Sequence, residues 1–202
     1  DLPRSAVRVV VLDPASTGPV GVVWLAYNAQ GKQTVYRTYK QRASSVSEHV
    51  QNILAENRGD PIDLWLCDPF MGRQHLPKAV GEHETVLQVW RNAGLNRLRL
   101  ADVDYQVCLA ESKEYLQAAH DTTNRHPACE VFDHCAEFRD EIEHYVVDSV
   151  QQGPRRGESH DRPRKGNDDV LNAWQYACGM RLRAPSRDRY ERAPAATRSY
   201  AA

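Results

Sequence analysis

Three acidic positions stand where carboxylates are usually poor choices. Asp13 closes the largely apolar, β-branched segment 7–12, and Asp68 follows Leu64-Trp65-Leu66-Cys67. Asp168 and Asp169 open an amphipathic segment directly after Gly166-Asn167. Each has an ordinary structural explanation, because Asp-Pro after a strand is a turn signal and Asp at a helix start is an N-cap. Together they suggest chemistry. If the segments ending in Asp13 and Asp68 are neighbouring parallel strands, both side chains project into the crevice where open α/β sheets place their sites. Carboxylates held that close repel and resist joint ionisation. A divalent cation removes the conflict, and oxygen-only donors favour Mg2+ or Mn2+ over zinc. Phosphodiester hydrolysis suits two such ions about 4 Å apart, one activating water and the other stabilising the leaving 3′-oxygen. No arrangement of Ser or Cys as a nucleophile competes with this reading.

The elements that must position these residues follow from the hydrophobic pattern. Segments 7–12, 20–27 and 34–39 read as three strands joined by short turns, an antiparallel meander at one edge of a sheet. Val46, Val50, Ile53 and Leu54 fall at i, i+4, i+7 and i+8, a helix with Ser45 or Ser47 as its cap and Gly59-Asp60-Pro61 as its stop. A buried strand over 62–67, a helix over 84–93, a strand over 95–100 and a helix over 104–119 come next. Residues 129–132 read as a short strand or turn before a helix over 135–147. A polar loop or exposed hairpin fills 151–167, and a final amphipathic helix spans 168–180. This order is that of a mixed α/β sheet flanked by helices. On the last helix the apolar stripe is Val170, Ala173, Trp174 and Ala177. At 3.6 residues per turn, Asp169 lies closer to it than Asp168. Asp169 is therefore the expected inward ligand, with Asp168 a second ligand or an outer group.

Composition narrows the class. The chain has 202 residues, 41% hydrophobic and 26% charged, which is enough for one core and unlike a disordered chain. A single domain over 1–184 is expected, followed by a polar tail over 185–202. No apolar run approaches the ~20 residues of a membrane span, and no leader pattern opens the chain. The start at Asp1, without Met, reads as an excised fragment. Five cysteines without a CxxC pair suit buried free thiols in a reducing compartment. His126, Cys129, His134 and Cys135 match no standard zinc spacing and read as ordinary residues. The net charge of −1 hides an asymmetry, since 151–202 carries eleven Lys/Arg against six Asp/Glu. That places a nucleic-acid contact near the C-terminus. Arg155, Arg156, Arg162, Arg164 and Lys165 would meet phosphates there, with salt-sensitive, sequence-independent affinity. His160 could approach the scissile phosphate as an auxiliary group, although an exposed loop position is the simpler reading of it.

Four segments in this order resemble the nuclease domain of the large terminase subunit of tailed bacteriophages, within the ribonuclease H-like fold. They are VVVLDPASTGPVGVVWLAY at 9–27, LWLCDPF at 64–70, EVFDHCAEFRDEIEHYVVD at 130–148 and KGNDDVLNAWQYA at 165–177. The resemblance implies metal-dependent cleavage of double-stranded DNA during viral genome packaging, in the cytoplasm of an infected bacterium. Asp13, Asp68 and Asp169, with Asp168, would be the acidic cluster. Many relatives carry another Asp where this chain has Asn172, which leaves the third carboxylate to the 168–169 pair. The family's ATPase motor is not encoded here, as no GxxxxGK[ST] loop occurs. An ATPase domain, a small terminase subunit and a portal would be the implied partners, with no membrane. Two other readings use the same residues. One is another ribonuclease H-like nuclease, such as a Holliday-junction resolvase or transposase core. The other is a non-catalytic DNA-binding or assembly module.

Overall fold

The computed structural model describes residues 2–15, 18–43, 45–77, 83–117, 128–145, 147–149, 159–163 and 167–182. The chain runs β1 (Val7–Asp13), β2 (Val20–Tyr27), β3 (Gln33–Gln41), α1 (Val46–Asn57), β4 (Leu64–Cys67) and α2 (Pro69–Gly72). A small hairpin of β5 (His75–Pro77) and β6 (His83–Thr85) leads into α3 (Val86–Asn92), β7 (Leu98–Leu100) and α4 (Tyr105–Gln117). Then come β8 (Cys129–Val131), α5 (Ala136–Glu143), β9 (Val147–Ser149), β10 (Ser159–Pro163) and α6 (Asp169–Gly179).

Six strands form one mixed sheet in the order β7-β4-β1-β2-β3-β8. The expected meander is present, with β2 antiparallel to both β1 and β3. It is not at the edge as the sequence suggested, because β8 adds to β3 in parallel over Gln33–Val35 partners. Parallel pairing of β4 with β1 sets Leu12 opposite Cys67. That register brings the two Asp-Pro strand ends side by side.

All eight residues of β2 are buried, as a strand covered on both faces requires. Alternation then sorts the side chains into two cores. Val9, Val11, Val23, Leu25 and Leu66 pack under α4, α5 and α6, where Phe138 and Trp174 meet edge-to-face at 5.4 Å. Val10, Leu12, Val22, Trp24 and Trp65 pack under α1 and α3. The Ser45 hydroxyl accepts from the Glu48 N–H at the start of α1. That helix ends at Arg58, whose φ is 52°.

Several sequence boundaries shift. The segment 62–67 is strand only from Leu64, and 95–100 only from Leu98. The helix expected from 84 begins at Val86, because Thr85 and Gln88 form a capping box and 83–85 pair with 75–77. The helix expected over 135–147 stops at Glu143. Residues 147–149 instead pair antiparallel with 159–163, so β10 falls inside the polar 151–167 region, where the sequence left a loop or exposed hairpin open. The tail 185–202 lies outside the described residues. No described helix is long and apolar enough to cross a membrane.

Candidate active site

Asp13 ends β1, paired in register with Gly21 of β2. Asp68 follows β4, and its N–H donates to the Leu12 carbonyl at 2.9 Å. The parallel β1–β4 pairing therefore places the two carboxylates at one end of the sheet. The first turn of α6 packs against the same end and supplies Asp168 and Asp169.

Electrostatics record how close these groups are. Burial raises the Asp13 carboxyl well above its ordinary range, and the charges of Asp68, Asp169 and Asp168 push the same way. A hydrogen bond from Asn172 works against them. The charge of Asp169 weighs on Asp13 more than that of Asp168 does. Asp68 is 4% exposed and is also raised, by burial. The N–H groups of Phe70 and Met71 and the Tyr176 hydroxyl donate to it and hold it down in part. The Phe70 and Met71 bonds measure 2.7 and 3.3 Å. Asp68 thus caps the short helix α2, where the sequence read its Asp-Pro only as a turn signal.

The aspartates of α6 do no such capping. Asp168 occupies the N-cap position and makes no side-chain cap bond. Glu141, from α5, does the capping: its Oε2 accepts the Leu171 N–H at 2.7 Å. Its other oxygen takes Lys40 Nζ, which also reaches Asp169 Oδ2 at 2.9 Å and Asn167 Oδ1 at 2.8 Å. Burial lowers the Lys40 ammonium's pKa, but hydrogen bonds to Glu141 and Asp169 outweigh it, and the net shift is upward. Among the described residues, no three His, Cys, Asp or Glu side chains converge tightly enough to grip an ion as placed. Asp68 is turned to its own helix, and Asp169 to Lys40. The donor chemistry still fits a hard dication. It consists of carboxylate oxygens that burden one another, with Lys40 already countering one of them by positive charge.

No protein-family model matches the chain, and no curated protein matches it by sequence. Solved structures do match. The large terminase of a thermophilic bacteriophage superposes with a TM-score of 0.59 over 89% of this chain, at 18% identity. The P22 large terminase nuclease domain gives 0.60 over 90%, at 17% identity. The fold is that of the large-terminase nucleases. This chain covers 41% of the thermophilic-phage terminase and 84% of the P22 nuclease domain. The terminase nuclease of the thermophilic phage G20c, solved with bound cobalt, aligns at 0.50 and 12% identity over 88% of this chain and 83% of its own.

Within this terminase-nuclease fold, the sequence-derived residues separate into two groups. Asp13, Asp68, Asp168 and Asp169 share one end of the sheet. Arg155, Arg156, Arg164 and Lys165 lie outside the described residues, and His160 and Arg162 are placed only as backbone in β10. His126 also lies outside them. His134 bonds the Tyr36 carbonyl at 2.9 Å and the buried Cys135 thiol faces the Val35 carbonyl, so β3 occupies both. Lys40, Glu141, Asn167, Gly21 and Tyr176 were not legible as site residues. Glu141 left one trace: it falls on the same helix face as Phe138, where an acid has no reason to be without a partner.

Proposed function

We propose that this chain is a metal-dependent endonuclease that cleaves double-stranded DNA during viral genome packaging, acting as the nuclease part of a large terminase. One observation carries the reading. A half-buried Asp13 is opposed by the charges of Asp68 and Asp169 at the carboxyl end of parallel strands, in a terminase-nuclease fold. Catalysis places such cost where function needs it.

Asp13, Asp68 and Asp169 would hold the divalent ions, Mg2+ or Mn2+, with Asp168 alongside them. The cobalt in the G20c nuclease supports a divalent ion of this kind. The ions supply an activated water and stabilise charge on the leaving oxygen. The residues of the chain have separate tasks. Asp13 offers carboxylate oxygens on a rigid strand end. Asp68 is oriented by three donors, which fix the direction of its carboxylate at the strand end. Lys40 neutralises part of the negative field and holds Asp169 in place. Arg155, Arg156, Arg162, Arg164 and Lys165 would bind backbone phosphates, with His160 close to the cut.

The same thermophilic-phage large terminase has been solved with ADP and with ATP-gamma-S. That supports an ATPase domain as the partner of this nuclease. A small terminase subunit and a portal complete the proposed assembly, in the cytoplasm of the infected host. The folded unit is proposed to be 1–184, with 185–202 a tail. The test is plasmid degradation by the purified chain with Mn2+, expected for the wild type and absent in Asp13→Asn and Asp68→Asn. Intact plasmid with wild-type protein, or equal degradation by the variants, overturns the reading.

A further inference from the structure

The first turn of α6 is seated on the sheet by two contacts that its own sequence does not supply. The first lies beneath it. Gly21, the register partner of Asp13, has no room for a side chain. A methyl group there would stand 2.3 Å from the carbonyl carbon and oxygen of Asp169, and 2.7 Å from the Val170 nitrogen. Backbone atoms do not yield to such overlap, so only hydrogen fits between β2 and the start of α6. The second contact comes from the side. Glu141, 2% exposed, accepts the Leu171 N–H and fixes Lys40, which in turn holds Asp169 and Asn167. A helix start normally has its free N–H groups satisfied by its own N-cap residue. Here an acid from another helix does that work, so the Asp168 and Asp169 carboxylates are not consumed by capping.

We propose that Gly21 and Glu141 are positioning residues that set the distance and direction of Asp169 relative to Asp13. The proposal rests on the reading of Asp169 as a cation ligand. Neither residue touches the reacting atoms. Gly21 fixes how near α6 approaches the strand end, and Glu141 fixes how its first turn is rotated and held. Supporting contacts of this kind matter because a coordination site tolerates little displacement of its ligands.

The experiment is calorimetric titration of the purified chain with Mn2+ alone, without DNA, for the wild type, Asp13→Asn, Gly21→Ala, Glu141→Ala and Glu141→Gln. Circular dichroism and thermal melts establish which variants are folded. Folded Gly21→Ala should bind Mn2+ roughly tenfold to a hundredfold more weakly than wild type. Glu141→Ala should show a loss of the same order. Glu141→Gln keeps one oxygen for the Leu171 N–H but turns its amide NH2 toward Lys40, and should show a loss between wild type and Glu141→Ala. A merely structural role would lower the melting temperature and leave the affinity of the folded fraction unchanged. Wild-type affinity in folded Gly21→Ala and Glu141→Ala overturns the proposal, and equal losses in Glu141→Gln and Glu141→Ala overturn it for Glu141. If Gly21→Ala does not fold, the Glu141 pair decides. If the wild type binds no better than Asp13→Asn, the metal reading itself fails and the proposal with it. If the wild type binds and only Asp13→Asn is impaired, the proposal alone fails.

Discussion

Lys40 Nζ lies 2.9 Å from Asp169 Oδ2 and ties the end of β3 to the first turn of α6. The same ammonium bonds Glu141, whose side chain is 1% exposed, while Lys40 itself is 12% exposed. One cation therefore serves two carboxylates from two different helices. Neither partner is adjacent to it in sequence.

Replacing Lys40 should be costly for that reason. Lys40→Met leaves Glu141 buried without a counter-charge, and breaking a buried pair in this way costs on the order of 3 kcal/mol. Lys40→Met/Glu141→Gln should recover part of that loss, since the uncompensated charge is gone. Urea unfolding of the two variants against wild type measures both values. A single-variant loss below about 0.5 kcal/mol would place the pair among ordinary surface contacts.

Asp13 should be a stability liability when no divalent ion is supplied. Its folded-state pKa is raised, by burial first and then by its acidic neighbours. The native state therefore holds a proton that the unfolded chain, with a pKa near ~3.9, releases earlier. Stability contributed by the protonated form is complete below that unfolded value and is lost as pH rises toward the folded one. Asp13→Asn should accordingly unfold at higher urea than wild type at neutral pH in EDTA, with the gap narrowing in acid. Added Mn2+ should raise the melting temperature of wild type by mass action and leave Asp13→Asn unmoved. A wild type more stable than Asp13→Asn in EDTA would contradict the argument.

The two aspartates of α6 should not be equivalent. Asp169→Asn is expected to reduce metal-dependent DNA cleavage to background, and Asp168→Asn to reduce it about tenfold or less. Both should remain folded, because Glu141 caps the helix. Melting curves and plasmid assays together check this. Equal, complete loss in both variants would show that the helix face does not discriminate. Unfolding of either would restore the capping explanation.

Under α6, Gln33 is a buried amide whose Oε1 accepts from Trp174 Nε1 at 2.7 Å and whose Nε2 donates to the Tyr27 hydroxyl at 3.0 Å. Trp174→Phe keeps the aromatic contact with Phe138 but strands the Gln33 oxygen, leaving only the long 3.8 Å approach of the Cys178 thiol. The expected loss is about 1–3 kcal/mol by chemical denaturation. A neutral result would mean that the oxygen finds water or another donor.

Much of the fold is legible in the chain because strands and amphipathic helices carry their period in the residues themselves. Segments 7–12 and 20–27 are largely apolar runs of strand length, and the Val46, Val50, Ile53 spacing announces α1. The short elements are not legible in this way. Residues 147–149 and 159–163 pair only because the chain returns on itself across a polar stretch, and no local pattern records that return. The sixth strand, β8, which the sequence left open between strand and turn, has three residues and is settled as a strand by its pairing with β3.

The candidate site divides along the same line. That Asp13, Asp68 and the 168–169 pair are candidates was written locally, as acids set against apolar strand ends and a helix start. What joins them was not. Parallel pairing of β1 with β4, the absent side chain at Gly21, and the Glu141–Lys40 bridge each connect residues far apart in the chain. Sequence determines which groups are available and the periodicity of the segments that carry them. Tertiary structure alone decides which buried charges face one another, because that depends on register and on the closeness of packed backbones.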